Sequence, residues 1–337
     1  MGKISLLLVN FKDDSFIVEL QKLGYKIDYY NTRQNYDFRE LSHKLLEYDV
    51  VYFAKFVPPT FDDLPILVKK LNIPIVYGWH YEYLPFIFNL NRPSNYVQAF
   101  IGVIKVLWLK IRKPVSLIHV LNYDQYKYFV KLTLPTIYIP LGVDTKLFKP
   151  GKKFDEFTVT FVSPRYGKGV DFLMKIVPSV IRKRPDVKFI LTGIGFLGPL
   201  YYRTLKSSFP KNVIVCENLP REEFIKILSK SHVLLFPSRR ETFGRVVLEA
   251  LSCGTPVVAF DIPGAPRDIV KRYNCGIVVK PFNVKGIIAG LLYLYELFMR
   301  YPETFQSLSK HCRSIAEKFD WKNLVRQYDA MFRKILL

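Results

Sequence analysis

Short apolar runs alternate with amphipathic stretches along almost the whole chain, and this alternation restricts the fold more than any other feature. Strands are predicted at Ile4–Val9, Lys26–Tyr30, Val50–Ala54, Ile75–Trp79, Ser116–Leu121 and Thr136–Ile139. A second set is predicted at Thr158–Val162, Val187–Thr192, Val213–Cys216, Val233–Phe236, Val257–Phe260 and Gly276–Val279. Helical stretches such as Val170–Lys183 and Arg221–Ser231 lie between them, which is the pattern of repeated βαβ units and parallel sheets. Six strands on either side of the turn-rich stretch Lys146–Lys153, with Pro150-Gly151 at its middle, imply two α/β domains. A chain of 337 residues, half of them hydrophobic, has the material for two cores. In open parallel sheets ligands bind beyond the carboxyl ends of the strands, so site residues are sought there.

Composition narrows the function classes. Cys216, Cys253, Cys275 and Cys312 form no C-x-x-C pair, which argues against a structural zinc site or a disulfide framework and fits a reducing, cytoplasmic setting. The start reads as a first buried strand rather than a signal peptide. The formal charge is +21, with 19 Lys+Arg against 13 Asp+Glu in residues 1–150 and 31 against 16 in residues 151–337. A basic protein of this kind attracts polyanions: phosphorylated substrates, an anionic membrane surface or nucleic acid.

The segment Val233–Asp261 carries the chemistry. A buried strand ends at Pro237-Ser238, a helix is predicted to start near Phe243-Gly244 and stop at Gly254, and another strand follows. Glu241 then stands at a strand tip just before a helix start, with Glu249 about two turns into the helix. Glu241 could serve only as a favourable charge there, and Arg245 with Glu249 only as an exposed i,i+4 pair. The helix is otherwise apolar, however, so an acid on it needs a partner. Carboxylates accept from sugar and ribose hydroxyls, and the N–H groups of a helix start receive a diphosphate.

The block Glu241–Ala259, E-T-F-G-R-V-V-L-E-A-L-S-C-G-T-P-V-V-A, closely resembles the signature of glycosyltransferase family 4. Ile139–Phe148 resembles that family's interdomain entry, and Ser163–Val170 (SPRYGKGV) the opening of its donor domain. Gly264–Val270 and Cys275–Pro281 resemble further donor-domain segments, and Asp320–Leu337 the closing helix that returns to the N-terminal domain. The resemblance implies the GT-B architecture, α/β with two Rossmann-like domains facing each other across a cleft. It places an acceptor-side domain at 1–148, a donor domain at 151–319 and the returning helix at 320–337. It also implies a retaining hexosyl transfer from a nucleotide-diphosphate sugar to a sugar, lipid or protein-linked acceptor, with no metal and no cofactor beyond that co-substrate. Carried over, Glu241 would hold donor-sugar hydroxyls and Glu249 the ribose, while Thr242, Phe243, Gly244, Arg245 and Val246 would contact sugar and phosphate through the backbone. Arg165 and Lys168 would neutralise the departing diphosphate. His80, after the strand Ile75–Trp79, resembles a family histidine that reaches the donor sugar. Three places depart from the family: NFKDDSF replaces a glycine-rich loop after the first strand, Arg165 and Lys168 are closely spaced, and Arg267-Asp268 stands where proline-glutamate is common.

Other readings compete. Gly193, Gly195 and Gly198 spell G-x-G-x-x-G after a strand, with Glu217 downstream, as a dinucleotide-dependent oxidoreductase requires. That motif sits mid-chain and leaves the glutamate block without a role, whereas Gly193 equally fits a loop where backbone approaches a donor. A nucleotide-sugar epimerase shares the fold. A nucleic-acid-binding protein would explain the charge, but no specific nucleic-acid motif accompanies it. Residues 96–113 form a basic amphipathic stretch with Gln98, Lys105 and Arg112 on one stripe, too short and charged to span a bilayer. Such a helix either lies against the cytoplasmic face of an anionic membrane or packs on the N-terminal sheet.

Overall fold

The computed structural model describes residues 3–31, 43, 45–54, 72–80, 100, 103–104, 106–107, 109–111, 115–193, 195 and 198–337. Twelve strands appear among them: β1 Ser5–Val9, β2 Lys26–Tyr30, β3 Val50–Ala54, β4 Ile75–Trp79, β5 Leu117–Val120, β6 Thr136–Tyr138, β7 Thr158–Val162, β8 Lys188–Thr192, β9 Val213–Cys216, β10 Val233–Phe236, β11 Val257–Phe260 and β12 Gly276–Val279. Every strand expected from the apolar runs is present, with ends shifted by at most a residue or two. The chain divides into two compact units, Met1–Leu141 with Trp321–Leu337, and Gly142–Asp320.

The first unit is a parallel sheet of order β2-β1-β3-β4-β5-β6. Its inner strands β3 and β4 are buried at every position, which is why they read as continuous apolar runs rather than alternating ones. The helix Trp321–Lys334 belongs to this unit because it buries an aromatic face there. Phe16 packs on Trp321 and Tyr328 at ring distances of 4.9 and 4.8 Å, and Tyr25 donates its hydroxyl to Asp329 at 2.7 Å.

The second unit is a parallel sheet of order β12-β11-β10-β7-β8-β9. The chain enters at the central strand β7, adds β8 and β9 on one side, then crosses to add β10, β11 and β12 on the other. The reversal lies between β7 and β10, and loops leaving two strands at such a point diverge and open a crevice. The division at Leu141–Gly142 falls earlier than Pro150-Gly151 for a physical reason. Val143 bridges Asp320, Thr145 is bonded to the Asp320 carboxylate, and the Phe148 carbonyl accepts from Ser252 and from Arg313.

Helical turns recur at the described positions from 100 to 111. Val106 and Leu109 are buried in the first unit's core, while Phe100, Leu107 and Ile111 are 65, 50 and 75% exposed. Among the described positions, some apolar side chains thus enter the core and others face outward. Gln98, Lys105, Trp108 and Arg112 lie outside the described residues. Among the described residues no helix is long and apolar enough to cross a membrane.

Candidate functional site

The loops at the strand reversal of the second unit bring two of the predicted residues, Lys168 and Glu241, into contact. After β7 the chain passes Ser163 and Pro164 to an exposed Arg165, then makes a single tight turn, Tyr166–Lys168. Gly169 closes that turn with φ +81°, and a Cβ there would lie 2.2 Å from the Pro237 carbonyl oxygen. Only glycine combines that left-handed backbone with so close an approach. The result is that the loop after β7 lies directly on the loop after β10.

The second loop is fastened to the first by side chains. Arg239 donates both guanidinium nitrogens to Asp171 at 2.7 and 2.6 Å and also bonds the Tyr166 carbonyl at 2.7 Å. Its guanidinium carbon lies 3.8 Å from the Tyr166 ring centre and 4.0 Å from that of Phe172, a bidentate, cation–π arrangement that lysine could not reproduce. The backbone N–H of Arg239 bonds Gly167 O at 2.9 Å. So fixed, Glu241 is 8% exposed and accepts hydrogen bonds from the Lys168 ammonium and, at 2.9 Å, from the Ser238 hydroxyl. An anion and a cation of the predicted set therefore meet at the switch point, which suits a ligand bearing both hydroxyls and phosphates.

Gly244, with φ +89°, caps the helix Arg245–Ser252. A Cβ on it would come within 3.3 Å of the Phe236 ring. The left-handed residue delays the helix to Arg245, so Glu249 stands little more than one turn in, not two. Thr242, Val246 and Glu249 are half-buried, Phe243 is buried and Arg245 exposed. A further segment abuts this corner: the Ala265 N–H donates to the Phe243 carbonyl at 2.6 Å, and a Cβ on Gly264 would sit 2.5 Å from the same oxygen. Arg267, where the family pattern has proline, instead bonds Asp261 at 2.7 Å.

Gly193 and Gly195 pack on the loop after β7. Cβ atoms added to them would meet Ser163 N at 3.2 Å and Pro164 O at 2.5 Å respectively. The three glycines of the G-x-G-x-x-G run thus serve close loop packing against Ser163-Pro164-Arg165. Arg165 lies beside Gly195, and its guanidinium makes no hydrogen bond or ion pair with a described residue.

His80 belongs to the first unit and follows β4 directly. Its ring is set edge-on to Phe11 at 5.7 Å, and its Nε2 lies 3.1 Å from the Tyr52 hydroxyl. The segment NFKDDSF after β1 therefore offers a buried aromatic beside His80 in place of a glycine-rich loop, and Asp13 caps the following helix through Phe16 N at 3.1 Å. Ser238, Arg239 and Asp171 were missed by motif reading. The available signal was the arginine two residues before Glu241 and the aspartate three after Lys168.

Residues 143–310, half of the chain and nearly all of the second unit, match the model of the family described as "Glycosyl transferases group 1". Among curated relatives, the chain is 27% identical over 218 residues to a D-inositol 3-phosphate glycosyltransferase of Segniliparus rotundus, covering 58% of this chain and 47% of that protein. It is 30% identical over 182 residues to a GDP-mannose-dependent monoacylated alpha-(1-6)-phosphatidylinositol monomannoside mannosyltransferase of Corynebacterium glutamicum, covering 47% of this chain and 46% of the relative. The aligned part spans about half the length of these relatives. Among solved structures, sucrose-phosphate synthase from Thermosynechococcus elongatus superposes with a TM-score of 0.75 at 15% identity, over 98% of this chain and 99% of that one. The Anabaena protein HepE in complex with UDP and glucose gives 0.73 at 17% identity, over 98% and 100%. The fold is thus GT-B, α/β with two Rossmann-like units.

Proposed function

We propose that the protein is a glycosyltransferase that moves a hexose from a nucleotide-diphosphate sugar to a sugar or lipid-linked acceptor. The observation that carries this reading is the Lys168–Glu241 pair at the strand reversal of a unit that matches a glycosyltransferase family model. Glycosyl transfer passes through an oxocarbenium-like state while negative charge grows on the leaving diphosphate. Lys168 and the exposed Arg165 would receive that charge, with the N–H groups at the start of Arg245–Ser252 completing the anion site. Glu241 would orient the donor-sugar hydroxyls, Glu249 would hold the ribose, and His80 would contact the donor sugar. Retention of configuration, independence of metal, and the backbone contacts of Gly193 and Thr242–Val246 belong to the same reading. The relatives matched are transferases, which favours transfer over epimerisation. Several are named for phosphatidylinositol, which supports a lipid-linked acceptor reached at an anionic, cytoplasmic membrane face. The exposed apolar side chains among residues 100–111 and the charge of +21 are suited to that surface.

The test is thermal unfolding with uridine, guanosine or adenosine diphosphate in the presence of a chelator. A ligand that binds only the folded state raises the melting temperature by mass action. A shift with one of the three at millimolar concentration supports the reading and identifies the base. No shift with any of them overturns it.

A further inference from the structure

Three strands of the first unit place a buried hydrogen-bonded chain behind His80. Tyr52 on β3 and His119 on β5 flank β4, and Gly78 on β4 is the register partner of both Ala54 and His119. Any side chain at 78 would separate them: a Cβ there would lie 2.6 Å from the Tyr52 hydroxyl oxygen and 3.1 Å from His80 Nε2. Glycine leaves a gap across which the Tyr52 hydroxyl reaches His119 Nδ1 at 2.7 Å and His80 Nε2 at 3.1 Å. At the far end His119 Nε2 lies 2.7 Å from the Ile139 carbonyl oxygen. Tyr52 and His119 are both fully buried, and Tyr328 packs edge-on against His119 at 5.2 Å.

The proton positions follow from what each group is able to donate. A backbone carbonyl only accepts, so His119 Nε2 carries a hydrogen. Burial pushes the His119 pKa down to about 4, so the ring is neutral and its Nδ1 is bare. Tyr52 therefore donates its single hydrogen to His119 Nδ1. Its oxygen then has only lone pairs to offer His80, and His80 Nε2 must be the donor.

We infer that Tyr52 and His119 are positioning residues that hold His80 as the Nε2–H tautomer, leaving Nδ1 as the basic nitrogen of its ring. The inference deepens the proposed function by naming what orients the histidine assigned to the donor sugar, and its role in catalysis rests on that reading. The tautomer itself does not. A neutral histidine presents one donor and one acceptor, and which nitrogen is which decides whether it accepts from a sugar hydroxyl or donates to it.

The experiment is nitrogen-15 NMR of the histidine-labelled protein at about pH 8, where an ordinary imidazole is neutral. The resonances of His80 are assigned by their loss in His80→Asn. Protonated and bare ring nitrogens are well separated in such spectra. The expected result is His80 and His119 both as Nε2–H tautomers, with the Nδ1–H form of His80 rising several-fold in Tyr52→Phe and in Gly78→Ala. A wild-type His80 carrying its hydrogen on Nδ1 overturns the inference, even if neither variant folds. A tautomer ratio unchanged in a folded Tyr52→Phe protein overturns it as well. With a nucleotide-sugar substrate, Tyr52→Phe is expected to lower kcat about tenfold with KM little changed, as for a contact made mainly in the transition state. Full activity in His80→Ala would remove the donor-sugar role while the NMR result still judged the tautomer.

Discussion

The ammonium of Lys168 is hydrogen-bonded to the carboxylate of Glu241, joining loops 73 residues apart in sequence. Glu241 is nearly buried and Lys168 about a quarter exposed at its side chain, so the two depend on the bond unequally. Lys168→Ala takes the ammonium from a nearly buried carboxylate, at a cost of about 1–3 kcal/mol. Glu241→Gln leaves the ammonium able to reach water and should cost less. In urea unfolding the double variant is expected to be more stable than the sum of the two single losses allows, because each single variant already removes their shared bond. Strict additivity would show that the pair contributes no coupling.

The two glutamates should fail differently in steady-state kinetics. Glu241→Ala is expected to lower kcat on the order of 10²-fold, the size of a lost transition-state contact. Glu249→Ala should chiefly raise the KM for the nucleotide sugar, because its assigned partner is the ribose, bound alike in ground and transition states. Near wild-type rates in both would remove their assigned roles at the donor.

Acid should destabilise the protein well above the carboxylate range. Burial lowers the pKa of His119 to about 4 and, with help from Lys153, that of His232 to about 3. Depressed histidine values mean that the folded state favours the neutral rings. Their contribution is complete above the unfolded value near 6.5 and is lost as pH falls from there toward the folded values. By pH 5 the loss is about 2 kcal/mol for each histidine. Urea midpoints measured at pH 7.5 and pH 5 should show the drop, and His119→Asn should flatten it. Equal stability at the two pH values would mean that these rings titrate normally.

Vesicle binding separates the exposed from the core side chains of residues 100–111. Serine at Phe100, Leu107 and Ile111 together should abolish binding to anionic vesicles and leave unfolding unchanged, since all three side chains are exposed. Leu109→Ser should instead cost about 2–5 kcal/mol, because that side chain lies in the core. Added salt should weaken binding of the wild type. Unchanged vesicle affinity in the triple variant would sink the membrane reading.

The sheets were legible in the sequence because parallel strands buried on both faces read as unbroken apolar runs; β3, β4, β10 and β11 are buried at every position. Glu241 and Lys168 were legible through motif spacing. Arg239 was not: its partners Tyr166, Asp171 and Phe172 are gathered by strand order, which spacing along the chain does not encode. Tyr52 and His119 were hidden for the same reason, as their meeting depends on a glycine in the strand between them. The helix after Glu241 begins within a residue or two of the expected Phe243-Gly244, since the left-handed Gly244 is its cap and Arg245 its first residue.

The reversal between β7 and β10 has a consequence for how the molecule comes to be. β7, β8 and β9 follow one another in the chain and form neighbouring pairs, but β7 meets β10 only after that whole stretch has been made. Pairings of such long sequence separation form late, since loop closure precedes their reward. A chain caught with β7 to β9 paired has Lys168 in place and no Glu241 to receive it. Ligand affinity then reports completion of the central strand pair, and a burst of refolding that restored helical signal without nucleotide binding would mark that unfinished half-sheet.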